Sequence, residues 1–285
     1  LSSIERNLGG LLLTLWDDDS PHFELYKRGI SAFAEYTWGG IKRTKSEFKS
    51  VFRHRTFGSE FQSEEYAFID SLDSPVKEWT NILLKKDFEK MMITITDSLE
   101  VSNSEVIHRN SLIHRKNTLT NYVIDLPDFN NKGSWNKKYS SRLKKISKQI
   151  KSLNKINSIL NKIKEKDPEN KFLIEIYEQV SALAGYSFYA MEVLSRFDNA
   201  KNEKEETLYL KEIYDLSKKF KNLREKFESV YSKTRVLNKP EGYILDQDHH
   251  YHPANQTKNF DWQFMAELIF LEKIENYYKK KFSDL

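Results

Sequence analysis

The chain has 285 residues, 39% hydrophobic and 13% aromatic, with 46 Lys and Arg against 42 Asp and Glu for a formal net charge of +4. Such a composition excludes a disordered chain, and no apolar run approaches the roughly 20 residues needed to cross a bilayer. The absence of cysteine excludes structural disulfides, thiol catalysis and thiolate zinc sites, while leaving the compartment open.

The opening residues, LSSIERNLGG, carry no basic segment, apolar core or small-residue cleavage site, so they are expected to continue a longer protein rather than to begin one. Leu11, Leu12, Leu13 and Leu15 follow as a short apolar run without polar alternation, the pattern of a strand covered on both faces. The run ends in Trp16-Asp17-Asp18-Asp19. Ser20 then offers an N-cap and Pro21 a first helical position where its missing N–H costs nothing. Phe23, Tyr26, Ile30, Phe33, Ala34 and Trp38 recur at helical spacing, and Gly39-Gly40 closes the helix. The unit is a strand, a loop and a helix with acids at the strand's carboxyl end, the edge at which α/β barrels place ligands.

Gly9, Gly10, Leu15, Trp16 and Asp18, followed by Ala32, Ala34, Glu35 and Trp38, resemble the last strand and last helix of the catalytic barrel in family 20 glycoside hydrolases, the β-N-acetylhexosaminidases. The likeness covers about the first 55 residues. It implies that residues 1–58 are the remnant of the last βα unit of a (β/α)8 barrel, and the helical stripes that follow make residues 59–285 an all-helical bundle domain, so that the chain is expected to be mainly α. It further implies that Trp16 walls the sugar subsite and that Asp18 hydrogen-bonds sugar hydroxyls. The family has glutamate at that second position, and Asp17 and Asp19 flank Asp18 as alternatives. The family's reaction is substrate-assisted, the acetamido oxygen attacking the anomeric carbon while an acid protonates the leaving oxygen. Its adjacent Asp-Glu pair has no counterpart in this chain, so the segment alone is expected to be inactive. No cofactor or metal is implied, and the location implied is secreted or periplasmic. Taken without the resemblance, the same residues also suit an ordinary buried strand with a solvated acidic loop.

Farther along, a helix is predicted between Lys42 and Gly58, with Phe48, Val51 and Phe52 inward and Arg53, His54 and Arg55 at its basic end. Tyr66, Ile69 and Leu72 form one stripe, and Ser74-Pro75 restarts a second helix carrying Val76, Trp79 and Leu83. From Asp87 to Asp128 periodicity is weak: Ile93 and Ile95 alternate with threonine as in a short strand, and His108 and His114 read as surface residues.

Beyond Trp135 three long helical stripes follow. The first runs from Leu143 through Ile146, Ile150, Leu153 and Leu160 to Ile163, and Asp167-Pro168 breaks it. Leu173, Ile176, Val180, Ala184, Met191 and Leu194 mark the second; Ile213, Leu216, Phe220, Leu223, Phe227, Val230 and Leu237 mark the third. These stripes read as core, with a homodimer seam as the alternative use. The lysines between Lys132 and Lys166 would attract nucleic acid, but no aromatic interleaves Lys144 to Lys166 and acids from Glu169 to Glu206 can answer the charge within the chain. Nucleic-acid binding is therefore not expected.

Asp246, Asp248, His249, His250 and His252 have zinc or calcium chemistry, yet loop spacing fixes no geometry, and a structural loop is the expected outcome. A last helix is predicted from Asp261 with Trp262, Met265, Ile269, Ile274 and Tyr277 inward. Two functions stand: the carboxyl-terminal part of an N-acetylhexosaminidase-like enzyme acting on N-acetylhexosamine-containing glycans, or a helical interaction module without enzymatic activity.

Overall fold

A computed structural model describes residues 6, 9–15, 23–40, 42–85, 120–242 and 259–283. Those residues are mainly helical. Eight helices occur among them: α1 Lys27–Gly39, α2 Lys45–Phe57, α3 Ile69–Ile82, α4 Ser134–Lys138, α5 Ser140–Glu165, α6 Lys171–Asp198, α7 Glu203–Tyr231 and α8 Met265–Phe282. Among the described residues the one β pairing is an isolated antiparallel bridge, Leu84 with Val123. Residues 9–15 take no regular secondary structure, and Leu12 is 86% exposed. The predicted strand is thus not formed here. A strand satisfies its backbone only through neighbouring strands, and no described segment pairs with this run.

Local signals account for the helix ends. Thr44 and Glu47 form a capping box, with Thr44 Oγ1 accepting from the Glu47 N–H at 3.3 Å and Glu47 Oε2 accepting from the Thr44 N–H at 2.7 Å. The α2 helix ends at Gly58, whose φ of 123° is open to glycine. Asn170 and Asn202 cap α6 and α7 through their side-chain oxygens. Between α5 and α6, Asp167 turns the chain with φ of 54° just before Pro168, a conformation that aspartate tolerates better than most residues.

The core is built around α6, which is apolar on nearly every side and packs against α3, α5 and α7. All six residues of its predicted stripe are buried, as are Ile146, Leu153, Leu160 and Ile163 of α5 and Ile213, Leu216, Phe220, Phe227 and Val230 of α7. The α7 helix stops at Tyr231, short of the predicted end of its stripe at Leu237. The α5 lysines find acids on neighbouring elements: Lys164 meets Glu178 at 2.9 Å and Lys145 meets Glu78 at 3.8 Å.

Two expectations are corrected. Pro75 does not separate two helices, since α3 runs through it without interruption. A proline removes the N–H that would bond the carbonyl four residues back, here Ser71, and Ser152 Oγ on α5 donates to that carbonyl at 3.4 Å instead. Arg53, at the basic end of α2, turns out to be buried. It is 4% exposed and donates to the Phe61 carbonyl at 3.2 Å, the Gln62 carbonyl at 2.7 Å and Glu64 Oε1 at 2.8 Å. Finally, the residue that α8 turns inward is Tyr278, fully buried, while Tyr277 is 50% exposed. The step of four from Ile274 keeps Tyr278 on the stripe, where its hydroxyl donates to the Pro127 carbonyl at 2.8 Å and its ring meets Phe129 and Phe197 edge-on.

Candidate functional site

The predicted sugar contacts, Trp16 and Asp18, lie outside the described residues, as do Asp17 and Asp19. Their flanks are described. Downstream, a 3-10 turn at Phe23–Tyr26 leads directly into α1. That entry is tied to later parts of the chain: Glu24 Oε1 accepts from Arg235 at 2.7 Å, Arg28 donates to Asp70 at 2.6 Å, Lys49 pairs with the other Asp70 oxygen, and Leu25 packs on the core. Burial works against the Asp70 charge, yet the hydrogen bonds and charges of Lys49 and Arg28 together outweigh it and lower the carboxyl pKa.

The rest of α1 is far less supported. None of its residues is buried, Ala34 is exposed, and Trp38 is 96% exposed. Glu35, another residue of the strand-and-helix motif, pairs with Arg43 at 2.6 Å. Between α1 and α2 runs a groove of about 880 Å³ lined by Phe33, Ala34, Trp38, Phe48, Val51 and Phe52. Lys27 and Arg55 stand on its rim, with no ion pair to any described residue.

The histidine loop with Asp246, Asp248, His249, His250 and His252 lies outside the described residues, together with His108, His114, Ile93 and Ile95. Among the described residues no three His, Cys, Asp or Glu side chains are grouped to hold a metal ion. Among them, too, no helix is long and apolar enough to cross a membrane.

Two polar clusters were not singled out from the sequence. The first is Glu267, fully buried on the first turn of α8, whose Oε1 accepts from Trp79 Nε1 of α3 at 2.6 Å and from Ser187 Oγ of α6 at 3.2 Å. Its Oε2 has no hydrogen-bond partner. Burial raises its pKa to about 7 against the pull of those two donors. Nearby, Tyr186 donates to the Leu216 carbonyl at 3.1 Å, and burial with the Glu267 charge raises its phenol well above the usual range. Full enclosure keeps Glu267 from meeting a substrate, so this group ties three helices together. The signal available was one acid inside Phe264-Met265-Ala266-Glu267-Leu268-Ile269-Phe270, otherwise wholly apolar.

The second cluster sits where residues 83–85 meet 122–124. Asp125 pairs with Lys85 at 2.5 Å and with Lys138, while Lys273 lies 4.0 Å away and donates to the Val123 carbonyl at 3.1 Å. Burial works against the Asp125 charge, yet hydrogen bonds from Lys138 and Lys85 hold the carboxyl down to about 2. Burial first, then repulsion from Lys85, lowers the Lys273 amine to about 8. Lysines sit on both Asp125 oxygens and the Tyr139 hydroxyl donates to Oδ2 at 3.3 Å, so the carboxylate serves as an ion-pair clamp.

Comparison of the chain with protein-family models, with curated proteins and with solved structures finds no match.

Proposed function

We propose that this chain is the carboxyl-terminal portion of a glycoside hydrolase resembling the β-N-acetylhexosaminidases, with Trp16 stacking on the sugar ring and Asp18 receiving sugar hydroxyls. The observation that carries the reading is the run Gly9-Gly10 to Asp18 followed at helical spacing by Ala32, Ala34, Glu35 and Trp38. The exposed leucines at 11–13 and the uncovered Trp38 support it, because a barrel's last strand and helix carry apolar surface meant for the rest of the barrel. In this reading the reaction belongs to the larger protein, which supplies the acid and the residue that orients the acetamido group. The residues of this chain bind and orient sugar, and the helical domain holds α1 through Glu24 and Arg28.

A helical interaction module without activity is the second reading, favoured by a core that closes around α6 with no contribution from residues 9–15. The two separate on one assay. The isolated chain should not hydrolyse a nitrophenyl N-acetylglucosaminide, whereas the polypeptide as made in its source cell should. There, Trp16→Ala should weaken substrate binding by about 1 kcal/mol, the scale of an aromatic contact. Hydrolysis by the isolated chain, or a Trp16→Ala enzyme with unchanged KM and kcat, would refute the proposal.

A further inference from the structure

The acids around α5 reach only some of its lysines. Lys145 and Lys164 have acidic partners, whereas Lys144, Lys148, Lys151, Lys155 and Lys162 are exposed and pair with no described acid. At 3.6 residues per turn and about 1.5 Å per residue, those five lie within about 60° of arc and form one row about 27 Å long. Like charges kept in line repel one another, a cost that an anionic chain laid along the row would remove.

Beside the carboxyl-terminal half of that row, a groove of about 580 Å³ opens between α5 and α7 over α6. Leu160, Ala182 and Leu223 give it small apolar patches of the kind on which the C–H face of a sugar ring can rest. Around them stand the carboxamides of Asn161, Gln179 and Asn222, whose side chains make no hydrogen bond to a described residue. Lys219 and Lys226 rise from the α7 wall with no acidic partner among the described residues, the Lys219 ammonium 5.0 Å from the centre of the Tyr189 ring. Glu178 is the one acid in the lining, and Lys164 already holds both its oxygens at 2.9 Å.

These surfaces call for an occupant that is anionic, long and polar. Each carboxamide offers both a donor and an acceptor, the pair that a sugar hydroxyl needs. Neither α5 nor the groove lining contains an aromatic residue, so nothing there stacks bases. The α5 helix exposes no large apolar side chain to enter a bilayer, and a concave groove is closed to a flat surface. A second copy presenting the same face would set lysine against lysine.

We propose that the α5 lysine row and the α5–α7 groove bind a linear acidic polysaccharide, its sulfate or carboxylate groups on the lysines and its hydroxyls on Asn161, Gln179 and Asn222. The row tracks the chain and the groove seats a few of its units. No residue of 1–58 takes part, so the site stands or falls apart from the reading of Trp16.

The test titrates the 285-residue chain into end-labelled acidic octasaccharides, one bearing uronates alone and one also sulfated, across a series of salt concentrations. Binding of both shows that carboxylate suffices, binding of the sulfated chain alone assigns sulfate, and a neutral octasaccharide should not bind. Lys155→Gln with Lys162→Gln should weaken binding and reduce the slope of log Kd against log salt by about two. Asn161→Leu with Asn222→Leu changes no charge and should weaken binding about tenfold while leaving that slope as it was. All four positions are exposed, so the melting temperature of each variant should match that of the wild type. Failure of both acidic octasaccharides to bind overturns the proposal, as does equal affinity for charge-matched oligothymidylate, oligoglutamate or anionic vesicles. So does wild-type affinity in the Asn161→Leu, Asn222→Leu variant, or a dimer of the chain that the lysine substitutions dissolve.

Discussion

The substitution Glu267→Gln tests the electrostatics of the core directly. The carboxyl has an ordinary value of 4.5 and a folded value of about 7, a rise of about 2.5 units that at 1.36 kcal/mol per unit amounts to about 3 kcal/mol. Below about pH 4.5 both the folded and unfolded states hold the proton, and the site exacts nothing. As pH rises from there to about 7, the unfolded chain ionises while the folded one does not, and that stability is lost progressively. The amide introduced by Glu267→Gln would keep an oxygen to accept from Trp79 and Ser187 and would not titrate. Urea unfolding of both proteins at about pH 5 and about pH 8 reads the difference directly. The wild-type free energy should fall by about 2 to 3 kcal/mol more than that of the variant across the interval. Neither Asp125, held near 2, nor Lys273, near 8, titrates through the middle of that window. Parallel pH profiles for the two proteins would refute a buried, proton-holding Glu267.

Asp198→Ala should cost about 2 kcal/mol in the same urea assay, because Asp198 Oδ2 accepts from both the backbone N–H and the side-chain amide of Asn136 at 2.8 Å, and while the amide keeps the Ser195 carbonyl at 2.9 Å the backbone N–H would lose its acceptor. Asp125→Asn should cost less, about 0.5 kcal/mol, since the carboxylate is partly solvated. With its folded pKa lowered, the stability Asp125 contributes is present above its ordinary 3.8 and lost as pH falls towards 2, so the acid arm of the profile should flatten in the variant. Adding zinc or a chelator at neutral pH should leave the melting temperature unmoved; a chelator-induced fall that vanished in a His249→Ala, His250→Ala variant would make that loop a metal site.

Much of the helical domain is legible locally. Stripes such as Ile213, Leu216, Phe220 and Phe227 declare the face of α7 that is buried, and Thr44-x-x-Glu47 and Asp167-Pro168 mark boundaries through bonds made within a few residues. What escaped depends on partners distant in sequence. Pro75 looked like a break because Ser152, which takes up the freed carbonyl, lies 81 residues from Ser71. The burial of Arg53 was not legible because its backbone acceptors are carbonyls of a turn that has no sequence signature. Glu267 meets Trp79 across 188 residues, so only its apolar neighbours hinted at burial. The same limit governs residues 9–15, where an apolar run specifies that a strand needs cover and cannot itself supply the strands beside it.

The bonds made by α8 bear on the order in which the domain assembles. The α5, α6 and α7 helices are neighbours in sequence and pack as successive hairpins, contacts that close short loops. The α8 helix packs on α7 too, but its polar bonds reach partners far back in the chain: Lys273 to Val123 across 150 residues, Tyr278 to Pro127 across 151 and Glu267 to Trp79 across 188. Closing such loops is entropically costly before the contacts are made. Our hypothesis is that α8 docks after the folding transition state and is the first element to leave. Tyr278→Ala would then accelerate unfolding several-fold with little change in the folding rate, and a variant that chiefly slowed folding would place α8 in the nucleus. Under the first outcome, the lifetime of the folded domain is governed by the grip of one terminal helix, and ionisation of Glu267 near neutral pH weakens that grip.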